Sequence, residues 1–250
     1  MRSKGFSLLE MAIVITIIAL ILGGILIGRN LVRSAELKAI VSEANEMKSA
    51  IRSFKSKYGW LPGDFIDAYR FWPSAGCTDD TVTTVDTGCN GDGNGEIYWS
   101  SWYQEGLRGW QHLALAGMIQ GAYDGTRAPV AQAANRCVIG TTIPRAAGTN
   151  AGWEYLDLRN HAGLGITAKG TAIALGFPDN LCVGAGVLTP EEAQSLDSKV
   201  DDGLPLTGKF MANQTIPAWY TGTCRDAAGA GSGYNIANGA RDCYLLFPLD

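Results

Sequence analysis

This 250-residue sequence has no surplus of positive charge: 20 lysines and arginines face 24 aspartates and glutamates, a formal net charge of −4. Without extra cations to neutralise phosphates, nucleic acid is excluded as an expected partner. Histidine is scarce, with only His112 and His161 in the chain. There is no G-x-S-x-G, no H-E-x-x-H, no Walker loop and no dinucleotide fingerprint. No two cysteines form a C-x-x-C pair, which excludes zinc ribbons and thioredoxin-like redox sites. Charged residues make up only 18% of the chain while glycine reaches 32 and tryptophan 7. That balance describes a folded, loop-rich domain rather than a disordered one.

Two further absences mark the N-terminal part. Residues 11–28 contain no charged side chain, and residues 30–58 contain neither glycine nor proline. The first run, with residues 6–9 before it, is long enough to cross a bilayer as a helix. A basic leader, Met1-Arg2-Ser3-Lys4-Gly5, precedes it, and one carboxylate, Glu10, stands at its lip. A lone glutamate opening a membrane segment is costly and therefore expected to be functional. Arg2 and Lys4 on one side and Arg29 and Arg33 on the other leave the orientation open. An ordinary secretory signal, cut after its apolar part near Gly23, Gly24 or Gly28, is one alternative, and a plain signal anchor is another. The leader, which ends before the apolar run, favours neither.

In the second run, Ile40, Ala44, Met47, Ile51, Phe54 and Tyr58 recur at helical spacing. Lys38, Glu43, Glu46, Lys48, Arg52, Lys55 and Lys57 fall off that stripe. The pattern predicts one continuous helix, roughly 78 Å long for residues 6–57 at ~1.5 Å per residue. Its second half is expected to pack under a globular domain, with a coiled coil as the alternative. Gly59 suits the position just past the helix end, Pro62 cannot continue it, and Lys55 and Lys57 suit its negative end.

Gly5-Phe6 with Glu10 four residues further on resembles the processing site of type IV prepilins and type II secretion pseudopilins. The junction Tyr58-Gly59-Trp60-Leu61-Pro62-Gly63-Asp64 resembles that of a pilin-like subfamily, as does the stretch from Thr189 through Lys209. The resemblance implies a leader at residues 1–5, a transmembrane and filament-core helix at 6–29, its amphipathic continuation at 30–58, and a globular domain at 59–250. It implies cleavage after Gly5, N-methylation of Phe6, and a role for Glu10 in assembly through the freed amine of Phe6 on a neighbouring subunit. The implied fold is α+β: a long N-terminal helix on an antiparallel sheet, loop-rich and stapled by disulfides. The implied partners are identical or related pilin subunits, a prepilin peptidase that also methylates, an inner-membrane platform protein and an assembly ATPase. The chain would sit in the inner membrane of a Gram-negative envelope before assembly and in a periplasmic or extracellular filament afterwards. Pilus and secretion pseudopilus, and major and minor subunit, stay open, although the domain is large for a major pseudopilin. A minor pilin acting as a binding module, with Trp99, Trp102 and Trp110 as its aromatic surface, is one alternative. A membrane-anchored periplasmic enzyme is the other.

Six cysteines, Cys77, Cys89, Cys137, Cys182, Cys224 and Cys243, all lie beyond the apolar run. An even count in an exported domain points to three disulfides. Of the fifteen possible pairings, the sequential one is expected: Cys77–Cys89, Cys137–Cys182 and Cys224–Cys243. Buried free thiols are the alternative.

The acidic, glycine-rich segment Asn90-Gly91-Asp92-Gly93-Asn94-Gly95-Glu96-Ile97 alternates oxygen-bearing side chains with glycine, like the first eight positions of an EF-hand loop. Asn90, Asp92, Asn94 and Glu96 are therefore candidate calcium ligands. The twelfth position is Ser101 rather than a glutamate, so a missing ligand would come from Asp79, Asp80, Asp86 or Glu105. A solvated glycine turn is the alternative. Asp201 and Asp202 are read as a helix-ending turn, with metal binding as the alternative.

Elsewhere, residues 104–121 read as a short helix with His112 beside its apolar face in a structural role. Residues 137–143, 153–158, 171–175, 208–217 and 244–247 read as strands. Alternation in 153–158 suits a sheet with one face on the long helix. Thr189-Pro190-Glu191-Glu192 is a capping box opening a helix that ends near Val200.

Overall fold

The computed structural model describes residues 7–81, 87–97, 104–126, 137–159, 166, 170–178, 182–214, 223–226 and 232–249. Helix α1 runs without interruption over Leu8–Tyr58. The chain divides into two units, Met1–Ser42 and Glu43–Asp250, so the division falls inside this helix. In the first unit the apolar side chains of residues 8–22, with Ile25, Ile27, Leu31 and Val32, are exposed. Thr16, the one hydroxyl in that run, bonds back to the carbonyls of Ala12 and Ile13 at 3.1 and 2.8 Å. Its polarity is thereby satisfied within the helix.

In the second unit, the last turns of α1 bury Ala44, Ala50, Ile51 and Phe54, in keeping with the apolar stripe. Lys48, expected off the stripe, is only 9% exposed. Its aliphatic stem can cover apolar surface while the ammonium reaches the edge. The helix ends at Gly59, whose φ of +82° suits the left-handed position past a C-terminus. The rings of Phe54, Tyr58, Phe65, Phe71 and Trp72 then gather around that end, with centroid separations of 4.5–6.3 Å. Large rings at such distances supply the greater part of the local packing.

A short helix, α2, covers Ala68–Phe71. Strands β1 (Thr78–Thr81) and β2 (Gly88–Asn90) pair in parallel. Helix α3 is Glu105–Leu115, shorter than the expected 104–121. Strands β3 (Gly152–Asp157), β4 (Thr171–Pro178), β5 (Val183–Ala185), β6 (Met211–Gln214) and β7 (Cys243–Pro248) form the main sheet. Helix α4, Pro190–Val200, lies between β5 and β6 in the chain. The sheet order is β3-β4-β7-β6, with β5 on the end of β4, and every pairing is antiparallel. Long helix, antiparallel sheet and disulfides make the fold the expected α+β arrangement.

Three readings differ in detail. Residues 137–143 are not a strand. Gly140 has a φ of +88°, and Thr142 returns its hydroxyl to the Val138 amide at 2.8 Å, closing a turn. Strand β3 does not show one wet face, because all six of its residues are buried. Its polar residues Glu154 and Asp157, which fall on opposite faces of the strand, are 6% and 0% exposed. Trp110 is fully buried beside Tyr155 and is no surface aromatic. Trp99 and Trp102 lie outside the described residues.

The structure links Cys77 to Cys89, Cys137 to Cys182 and Cys224 to Cys243, and no free cysteine remains. The capping box at α4 is present in both directions, Glu192 N–H to Thr189 Oγ1 and Thr189 N–H to the Glu192 carboxylate.

Candidate functional site

Two places carry the chemistry expected of the chain. The first is the start of α1. Gly5 and Phe6 lie outside the described residues. Just beyond them, Ser7 Oγ accepts the Glu10 N–H at 3.2 Å, and Glu10 Oε2 accepts the Ser7 N–H at 2.8 Å. Each residue satisfies an amide that the first helical turn leaves without a partner, which makes Ser7-x-x-Glu10 a capping box. The S-x-x-E spacing of Ser7-Leu8-Leu9-Glu10 carries this signal in the sequence. Its effect is to fold the carboxylate back over the N-terminal end of the helix. Among the described residues α1 is the one helix long and apolar enough to cross a membrane.

The second place lies around the turn after α1. Its residues come from three segments that approach closely. A Cβ on Gly63 would collide with the carbonyl oxygen of Glu105, so only glycine, here at φ +91°, lets the turn meet the first turn of α3. The next residue, Asp64, is 1% exposed. Its Oδ1 accepts the Asn94 amide and its Oδ2 the Gly95 amide, both at 3.0 Å. Burial pushes this carboxyl up to about 6, helped by the charge of Asp92 and opposed by the amides of residues 93–95. Asp92 and Glu105 complete an acidic cluster whose ligand oxygens all lie within 4.8 Å of one another.

The four residues suggested by the EF-hand spacing are thus split. Asp92 joins Asp64 and Glu105. Asn90 is used elsewhere, its Oδ1 accepting the Tyr69 amide at 2.9 Å and its Nδ2 donating to Asp79 at 2.9 Å. Asn94 holds the loop itself, donating to Asp92 Oδ2 at 2.8 Å and accepting the Glu96 amide at 2.7 Å. Glu96 forms an ion pair with Arg159, which also grips the buried Asp157. Asp64 had no local signal: it lies 30 residues before the loop that it holds.

His112, on α3, shares this region. Its Nδ1 accepts the Gly63 amide at 2.9 Å and its Nε2–H donates to the Cys89 carbonyl at 3.0 Å. It is fully buried, and burial, with the nearby Arg108 charge, pushes its pKa down to about 3. The ring is therefore neutral and structural, tying the turn after α1 to the loop closed by Cys77–Cys89. His161 lies outside the described residues.

A second acidic cluster, Asp197, Asp201 and Asp202, closes the end of α4. Gly203 N–H and Tyr234 O–H donate to Asp197, and the Lys209 and Phe210 amides donate to Asp201. Leu204 N–H and the Thr207 hydroxyl donate to Asp202. These carboxylates organise a turn through backbone donors.

No curated protein and no solved structure matches the chain. Residues 1–26 match the family model of the prokaryotic N-terminal methylation motif, so the chain opens with the signature of type IV pilins and pseudopilins.

Proposed function

We propose that the protein is a structural subunit of a type IV pilus or type II secretion pseudopilus, cleaved after Gly5, methylated at Phe6 and polymerised through α1. The observation that carries this reading is the methylation motif at residues 1–26 running directly into an uncharged, exposed apolar helix. In a bilayer that surface faces lipid. In a filament it faces the same surface of neighbouring subunits, and close packing of apolar helices replaces lipid contacts. A lone carboxylate in such a core is costly unless paired. The α-amine of a neighbouring Phe6, freed by cleavage, is the partner that the motif offers Glu10. The capping box holds Glu10 at the N-terminal end of α1.

In this reading a prepilin peptidase, a platform protein and an assembly ATPase act on the chain. The subunit passes from the inner membrane into the filament, and its work is polymerisation rather than catalysis. The test is assembly of Glu10→Ala in cells that process the wild-type chain. We expect normal cleavage with loss of sedimentable filaments. Wild-type filament yield from the variant would remove Glu10 from the assembly mechanism.

A further inference from the structure

Asp64, Asp92 and Glu105 place three carboxylates, from the turn after α1, the glycine-rich loop and the first turn of α3, within 4.8 Å of one another. Two of them are deep inside: Asp64 is 1% and Glu105 0% exposed. Buried like charges at such distances repel, and a cation between them would remove that repulsion.

An independent observation lies in the layer beneath. Tyr155 on β3 is 0% exposed, and its hydroxyl has no hydrogen-bond partner. The residue packs on the first turns of α3, the helix that carries Glu105: a Cβ on Gly106 would stand 2.2 Å from the Tyr155 carbonyl oxygen. After burial, the charges of Asp64 and Glu105 are the leading influences on the Tyr155 phenol, followed by Asp157. Its ring is fixed against α3, since a Cβ on Gly109 would stand 2.6 Å from its Cδ1. Buried hydroxyls ordinarily find a partner. Here an orphan hydroxyl lies beside two buried carboxylates; a cation would neutralise the carboxylates, and its bound water would meet the hydroxyl.

We propose that Asp64, Asp92 and Glu105 bind one divalent cation of the calcium class, with the Tyr155 hydroxyl bonded to a water on that ion. The donor set is all oxygen, with no histidine or thiolate, which suits a hard cation and not zinc or copper. The amides of Asn94 and Gly95 on Asp64 orient the carboxylate as outer hydrogen bonds do for metal ligands. Asp92 is on the surface and gives the ion its entry. The ion would join the end of α1, the loop and α3 at one point. The cluster at Asp197 differs, because the tyrosine beside it is already paired: the Tyr234 hydroxyl donates to Asp197 at 2.7 Å.

The test is calorimetric titration of calcium chloride into the full-length chain in detergent micelles, after stripping with a chelator. One ion per chain is expected. Asp92→Asn, at an exposed position, should weaken binding about ten-fold or more, and Glu105→Gln should abolish it. Asp202→Asn in the other cluster should leave it unchanged. Absence of saturable binding, or equal affinity in wild type and Asp92→Asn, would overturn the proposal. So would a loss of binding confined to Asp202→Asn.

Discussion

The backbone amide of Gly63 donates to Nδ1 of His112 at 2.9 Å, across a sequence separation of 49 residues. One neutral imidazole thereby anchors the turn that ends the long helix. The other ring nitrogen carries the proton to the Cys89 carbonyl, so the tautomer is fixed by both bonds. Protonation would put a charge in a fully buried position and destroy the acceptor for Gly63.

That arrangement sets an acid limit. The folded pKa of His112, about 3, lies below its ordinary value of 6.5. Between those values the unfolded chain binds more protons, so this contribution to stability is full above pH 6.5 and lost as pH falls toward 3. Chemical denaturation across that window should show it. In His112→Asn the slope from this group should vanish, and an unchanged pH profile would contradict the role given to the ring.

Asp64 acts in the opposite direction. Its folded pKa, about 6, lies above the ordinary 3.8. The folded state binds more protons between those values, so this contribution is full below pH 3.8 and lost as pH rises through 6. Asp197, also raised to about 6 chiefly by burial, has the same sign. In chelator-treated protein, Asp64→Asn should therefore make stability rise more steeply, or fall less, from pH 4 to 6 than in the wild type. Identical slopes would mean that Asp64 is not strained.

The capping box on α4 is a local and separable element. Thr189→Ala removes the acceptor for the Glu192 amide, 3.2 Å away, and should cost about 1 kcal/mol. Denaturant midpoints at neutral pH measure this, and Thr189→Ser should recover most of it. A loss of similar size in both variants would assign the effect to the threonine methyl instead.

Features set by neighbours in the chain were legible in the sequence. The uncharged run, the stripe from Ala44 to Phe54 and the Thr189-Pro190-Glu191-Glu192 cap all report their own backbone. The strands at Trp153 and Thr171 were legible too, but not the covering of both faces of the first, because Glu154 and Asp157 are buried against protein partners rather than left to water. Tyr244 O–H reaches Glu154 at 3.4 Å, and Arg159 grips Asp157 at 2.7 Å. Cys137-Val138-Ile139 has strand composition, and only the turn at Gly140 reveals otherwise. The acidic site was half legible. Spacing singled out Asp92, and Glu105 was one of several candidates, but Asp64 belongs to the helix-ending turn and is brought in by tertiary contact alone.

Processing and polymerisation of α1 as the helix of a pilin-type subunit, as proposed, begin at the first residues of the chain. Intact mass and N-terminal fragment analysis of the protein from cells with a prepilin peptidase tests this most directly. A mature chain beginning at Phe6 with one added methyl group on its amine is expected. A chain that retains Met1, or one cut near Gly28, would contradict the proposal.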